Sequence, residues 1–280
     1  MDILNSVRGK LRSSRWHIGA LLLAVTLGST PALAQGGEGG GGEIPPSFTP
    51  QNGWWWNPAE PAGRGILIET NAAGDIYAGV LVYDEGGQAS WYVIDTSLVN
   101  GAQVGLIQKF VGGQSVNEPY RQGTFVNFAG LASFNFTSPT RGSLTLPNGA
   151  MEIARYDIIG NGVASGPAAG APRGGWWWNA SENGRGYFLE AQGDNMMFAG
   201  LMYNDLGQPV WYSARGSMVS PTLFSGEMIL TYGGPTLEGP YQHPQIAQSI
   251  GTLTIQFTSD TTATLTVPDG GQVALVRYTF

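Results

Sequence analysis

The side chains best suited to acid–base chemistry in this sequence are four glutamates that fall in two pairs, Glu60 with Glu69 and Glu182 with Glu190. Two carboxyl groups facing each other across a cleft at roughly 5 to 10 Å can break a glycosidic bond, so a Glu-dependent enzyme acting on polysaccharide is one reading of them. Other constellations lack their parts. The sequence has no cysteine, and its only histidine beyond His17 is His243, followed by Pro244. A Cys–His or Ser–His–Asp arrangement and a histidine-based metal centre are therefore not expected, nor is a cofactor, and no residue is assigned a catalytic role. Each pair also has an arginine close in sequence, Arg64 or Arg185. A Glu60–Arg64 pair can lock a turn, touch a ligand or take part in catalysis, while Asn57 and Asn179 can cap their own turns. Glu69 and Glu190 fall on strand faces with Leu67 and Phe188, where an unpaired carboxylate is costly. Each must meet an arginine or mark a polar spot in a ligand cavity.

These residues come in pairs because most of the sequence is written twice. GWWWNPAEPAGRG from Gly53 matches GWWWNASENGRG from Gly175 with one residue inserted. Further on, Glu69 matches Glu190, Trp91-Tyr92 matches Trp211-Tyr212, Pro119-Tyr120 matches Pro240-Tyr241, and Arg155-Tyr156 matches Arg277-Tyr278. The period of roughly 120 residues suits two whole domains better than solenoid units. The chain divides into a leader at 1–34, a Gly/Pro-rich flexible segment at 35–51, one repeat at 52–159, a linker at 160–173 and a second repeat at 174–280.

The elements that must position these side chains read as β-strands. Within the first repeat, β-rich runs fall near Trp54 to Trp56, Gly65 to Thr70, Ile76 to Tyr83, Ala89 to Asp95, Val104 to Phe110, Thr124 to Phe128, Ala132 to Thr137, Gly142 to Leu146 and Met151 to Ile158. Between them, AAGD, DEGGQ and LPNGA supply the residues that tight hairpins require. The expected fold is all-β: two tandem antiparallel meanders, each a small eight-stranded closed or nearly closed barrel, with a sandwich as the alternative.

Three consecutive tryptophans cannot all face one side of a strand. Trp54 and Trp56 share a face and Trp55 takes the other, as Trp176 and Trp178 do against Trp177. One set can fill a barrel. The other is buried where the copies pack on each other, or forms with Trp91, Tyr92, Trp211 and Tyr212 a platform on which sugar rings stack while Asn, Glu and Arg hold their hydroxyls. Two copies would engage a repetitive polymer bivalently.

Residues 1–34 carry Arg8, Lys10, Arg12 and Arg15 ahead of an apolar run and end in Ala32-Leu33-Ala34, the pattern of a secretory signal peptide cleaved after Ala34. No later run is long enough for a membrane helix. Without the leader, nine basic residues face nineteen acidic ones, a net charge of −10, and Lys109 is the single lysine. Scattered arginines on an acidic chain leave no footprint for nucleic acid. The expected location is periplasmic or secreted.

Two resemblances follow from these motifs. Over nearly all of residues 52–280 the sequence resembles a group of secreted bacterial proteins that carry G-W-W-W-N-x-x-E-x-G-R-G followed by a Y-(D/N)-x-x-G-x-x-x-W-Y turn, here YDEGGQASWY and YNDLGQPVWY. This implies a domain type and an exported location, and no reaction. The ends of each copy also resemble calycin barrels of the lipocalin and avidin kind, which open on Gly-x-Trp and close on an arginine that packs over that tryptophan. The matching residues are Gly53, Trp55 and Arg155, and Gly175, Trp177 and Arg277. The leading expectation is an exported non-catalytic protein that binds a glycan or cell-envelope polymer. Alternatives are a lipocalin-like carrier of a small apolar ligand, the Glu-dependent enzyme, and a structural or protein-interaction module.

Overall fold

The computed structural model describes residues 48–280 apart from positions 61, 100, 117 and 163. The leader and most of the Gly/Pro-rich segment lie outside the described residues. Each repeat forms one closed, eight-stranded antiparallel barrel in simple meander order. The first comprises β1 (Gly53–Trp56), β2 (Gly65–Thr70), β3 (Ile76–Tyr83), β4 (Ala89–Val99), β5 (Ala102–Val111), β6 (Thr124–Ser138), β7 (Arg141–Leu146) and β8 (Gly149–Arg155). The second comprises β9 (Gly175–Asn179), β10 (Glu182–Gln192), β11 (Asn195–Tyr203), β12 (Pro209–Ser220), β13 (Leu223–Tyr232), β14 (Gln245–Phe257), β15 (Thr262–Thr266) and β16 (Gln272–Arg277). Closure is made where the motif begins and the repeat ends. Trp55 pairs with Arg155 across β1 and β8, and Trp177 with Arg277 across β9 and β16.

Local chemistry sets the hairpins. Between β3 and β4 the Asp84 carboxylate accepts the backbone N–H groups of Gly86 and Gln88 at 2.9 and 2.8 Å. Asn204 does the same for Leu206 and Gln208 between β11 and β12. A polar side chain that folds back on its own turn fixes loop length and thereby register. Thr124 to Phe128 and Ala132 to Thr137, read from the sequence as separate strands, are one continuous strand, β6. Gly130 suggests a turn, but its φ of +137° serves a bulge at which the pairing with β5 shifts and the strand bends without ending.

The barrel interiors are filled. In the first, Trp55 lies wholly buried among Ile66, Ile68, Val80, Phe134 and Leu144, with its ring edge-on to Phe136 at 5.4 Å. In the second, Trp177 meets Phe257 edge-on at 5.6 Å, in one apolar cluster with Phe224, Ile255, Leu265 and Leu275. That cluster continues across the seam to Trp54, Leu67, Tyr77, Leu81 and Tyr83 of the first barrel. Strand β3 shows the cause: all eight of its residues are buried. One face fills its own barrel and the other packs on the sister.

Candidate functional site

The Asn, Glu and Arg of the motif form a locked turn in both copies. Asn57 Oδ1 accepts the Ala59 N–H and Asn179 Oδ1 the Ser181 N–H, each at 3.0 Å. Arg64 donates through Nη1 to both carboxylate oxygens of Glu60 at 2.8 Å. Its Nε and Nη2 reach across the seam to the Thr236 carbonyl at 3.1 and 2.9 Å, and Nη2 also to that of Gly239. In the second copy Arg185 pairs with Glu182 through Nη2. Its side chain is 5 % exposed, and its Nε is buried with no hydrogen bond.

Glu69 and Glu190 find their arginines in the opposite barrel. The Glu190 carboxylate accepts the Trp54 N–H and pairs with Arg155, whose Nη1 also donates to the Trp54 carbonyl. Reciprocally, Glu69 accepts the Trp176 N–H at 2.6 Å and pairs with Arg277, whose Nη1 donates to the Trp176 carbonyl. Each carboxylate thus closes the start of its sister's first strand. Gly53 and Gly175 make this possible, since a Cβ at either would collide with the visiting carboxylate, and their φ values of +138° and +107° disfavour other residues. The Arg277 guanidinium also lies over the Trp177 ring, 5.8 Å from its centroid.

The tryptophans divide as strand parity requires. Trp55 and Trp177 fill the barrels, Trp54 and Trp176 are buried in the seam, and Trp56 and Trp178 are half-buried. Trp91 and Trp211 also lie in the seam, where their indole N–H groups donate to the carbonyls of Met202 and Val82 at 2.8 and 2.9 Å. Tyr212 is buried and Tyr92 half-buried, and burial pushes both hydroxyl pKa values up. Tyr83 and Tyr203, the opening residues of the YDEGGQASWY and YNDLGQPVWY turns, occupy matching seam positions. Tyr83 hydrogen-bonds to Thr231 at 2.8 Å, whereas the buried Tyr203 hydroxyl has no partner, because Phe110 stands where the second copy has Thr231.

Not all of these residues meet. Glu60 belongs to a turn and Glu182 opens β10 just after one, while Glu69 and Glu190 are enclosed by ion pairs, and each of the four carboxylates is spoken for by an arginine. Trp91, Trp176, Trp177, Trp178 and Arg185 do converge, around a cavity of about 30 Å³ on the seam, joined by Tyr77 from β3 and Tyr278 just after β16. Trp178 stands edge-on to Tyr278 at 5.5 Å, and Tyr77 edge-on to Trp176 at 5.4 Å. Tyr278 was visible in the sequence as the partner of Arg277 in the repeated Arg-Tyr pair. Tyr77 carried no such mark, since Phe198 occupies its place in the second copy. Among the described residues, no group of three or more His, Asp or Glu side chains is placed to hold a metal ion. No family model, no curated protein and no solved structure matches this chain.

Proposed function

We propose that the chain is an exported, non-catalytic binding protein and that its ligand, a glycan, rests at the mouth of the aromatic cavity on the seam of the two barrels. The observation that carries this reading is the convergence of Trp91, Trp176, Trp177 and Trp178 with Arg185 around one cavity. Indole and phenol rings offer flat apolar faces to the C–H face of a sugar, and an arginine offers donors to its hydroxyls. The signal-like leader supports export. Engagement of all four motif glutamates by arginines argues against a pair of free carboxyls working across a cleft. The packed interiors around Trp55 and Trp177 argue against a lipocalin-like store of apolar ligand.

Tryptophan fluorescence of the mature protein, titrated with envelope oligosaccharides and in parallel with fatty acids, tests the proposal. A saturable change with an oligosaccharide, weakened at least tenfold by Trp178→Ala, is the expected result. Saturation with fatty acid alone would place the ligand inside a barrel. A flat response to both panels would leave a structural or protein-interaction module as the better reading.

A further inference from the structure

The two copies present the same motif but not the same donors. In the first, the Arg64 guanidinium is consumed: Nη1 holds Glu60, and Nε and Nη2 hold the Thr236 and Gly239 carbonyls of the sister barrel. In the second, Arg185 holds Glu182 through Nη2, its buried Nε has no partner, and the residue lines the seam cavity. A buried donor left unmade is costly, and this one belongs to a residue on the lining of a cavity. Arg155 and Arg277 also have an unpartnered Nε, but of the three only Arg185 lines the cavity, which makes it the candidate recognition point among the described residues.

Size and charge narrow what can occupy it. At about 30 Å³ the cavity holds two or three water-sized atoms. A pyranose ring is far too large for it and must lie at the mouth, beside half-buried Trp178. Only a substituent of the ring can enter. The Arg185 charge is already matched by Glu182, whose side chain is 26 % exposed. A second carboxylate beside the same guanidinium would meet Glu182 as a like charge. A neutral hydroxyl accepts the Nε–H without that repulsion, and its methylene packs on the indoles.

Building on the glycan reading above, we propose that Arg185 Nε and Trp178 select a neutral hexose by its exocyclic hydroxymethyl group, the ring stacking on Trp178 while the hydroxyl accepts from Nε inside the cavity. Pentoses lack the group, and uronic acids replace it with a charge.

The test titrates the mature protein, by its tryptophan fluorescence, with methyl glycosides in matched sets. Glucose, galactose and mannose are set against xylose, L-arabinose and lyxose, which lack only the hydroxymethyl, and against glucuronate and galacturonate. At least one hexoside is expected to bind about tenfold or more tightly than its pentose and uronate counterparts. Arg185→Lys keeps a charge beside Glu182 but removes the Nε donor, and should bring the hexoside down to the level of the pentoside while the thermal melt stays near that of the parent. Equal binding of hexoside and pentoside overturns the hydroxymethyl assignment and leaves the glycan reading standing. Tighter binding of a uronate overturns the neutral preference. An unchanged hexoside affinity in Arg185→Lys removes Arg185 from the site, and no response to any glycoside, together with none to longer oligosaccharides, removes the glycan reading itself.

Discussion

Glu69 and Glu190 illustrate how a residue can be legible in type and illegible in partner. A carboxylate on an apolar strand face demands a cation, which the sequence makes plain. The cation that answers Glu69 is Arg277, 208 positions away in the opposite barrel, and no local spacing points to it. The side chains of this pair are only 7 and 10 % exposed, and those of Arg155 and Glu190 only 5 and 7 %. Replacing Glu69 or Glu190 with Ala strands an arginine and should cost about 3–5 kcal/mol in chemical denaturation. A double-mutant cycle should show strong coupling for Glu69 with Arg277 and near-additivity for Glu69 with Arg155. The buried tyrosines set a second expectation. Burial raises Tyr83 and Tyr187 to about 12. A phenol whose folded pKa exceeds its unfolded value near 10 keeps its proton in the folded state where the unfolded chain has lost it. Between pH 8 and 12, stability set by these tyrosines should accordingly be level up to about pH 10 and fall between about pH 10 and 12. Denaturation midpoints measured from pH 8 to 12 would show a level profile if these groups were exposed.

Strands and turns were the most readable scale, because their signals are local: alternation of apolar residues, Asp84 and Asn204 folding onto their turns, and glycine where the backbone bends. The misreading of β6 came from the same locality. A glycine with positive φ marks a bulge as readily as a turn, and only pairing with β5 distinguishes them. At Gly130 a Cβ would press on Pro147 as well as strain the backbone. Gly130→Ala is therefore expected to destabilise by about 1–3 kcal/mol with no loss of β content in circular dichroism. Trp55→Ala, which empties the centre of the first barrel, should cost about 3–5 kcal/mol on the same assay. The order of these two costs separates backbone strain from lost packing.

At the scale of the whole molecule, sequence repetition announced two domains but could not say that they share a core. The apolar cluster that runs from Leu275 through Trp176 to Tyr83 belongs to neither barrel alone, and so the two should unfold together. Calorimetry is expected to give one transition whose calorimetric and van't Hoff enthalpies agree; two separate peaks would mean that the seam contributes little. The seam has the form of the contact that two identical subunits make about a two-fold axis, where each patch meets its own copy. In such a dimer every substitution appears twice, and the two halves can never differ. Fusion in one chain lifts that constraint. The position that holds Thr231 beside Tyr83 can hold Phe110 in the other copy, and Arg64 can be saturated while Arg185 keeps a donor in hand. A covalently joined pair can thus give up symmetry one residue at a time, with one half holding the assembly shut and the other free to specialise.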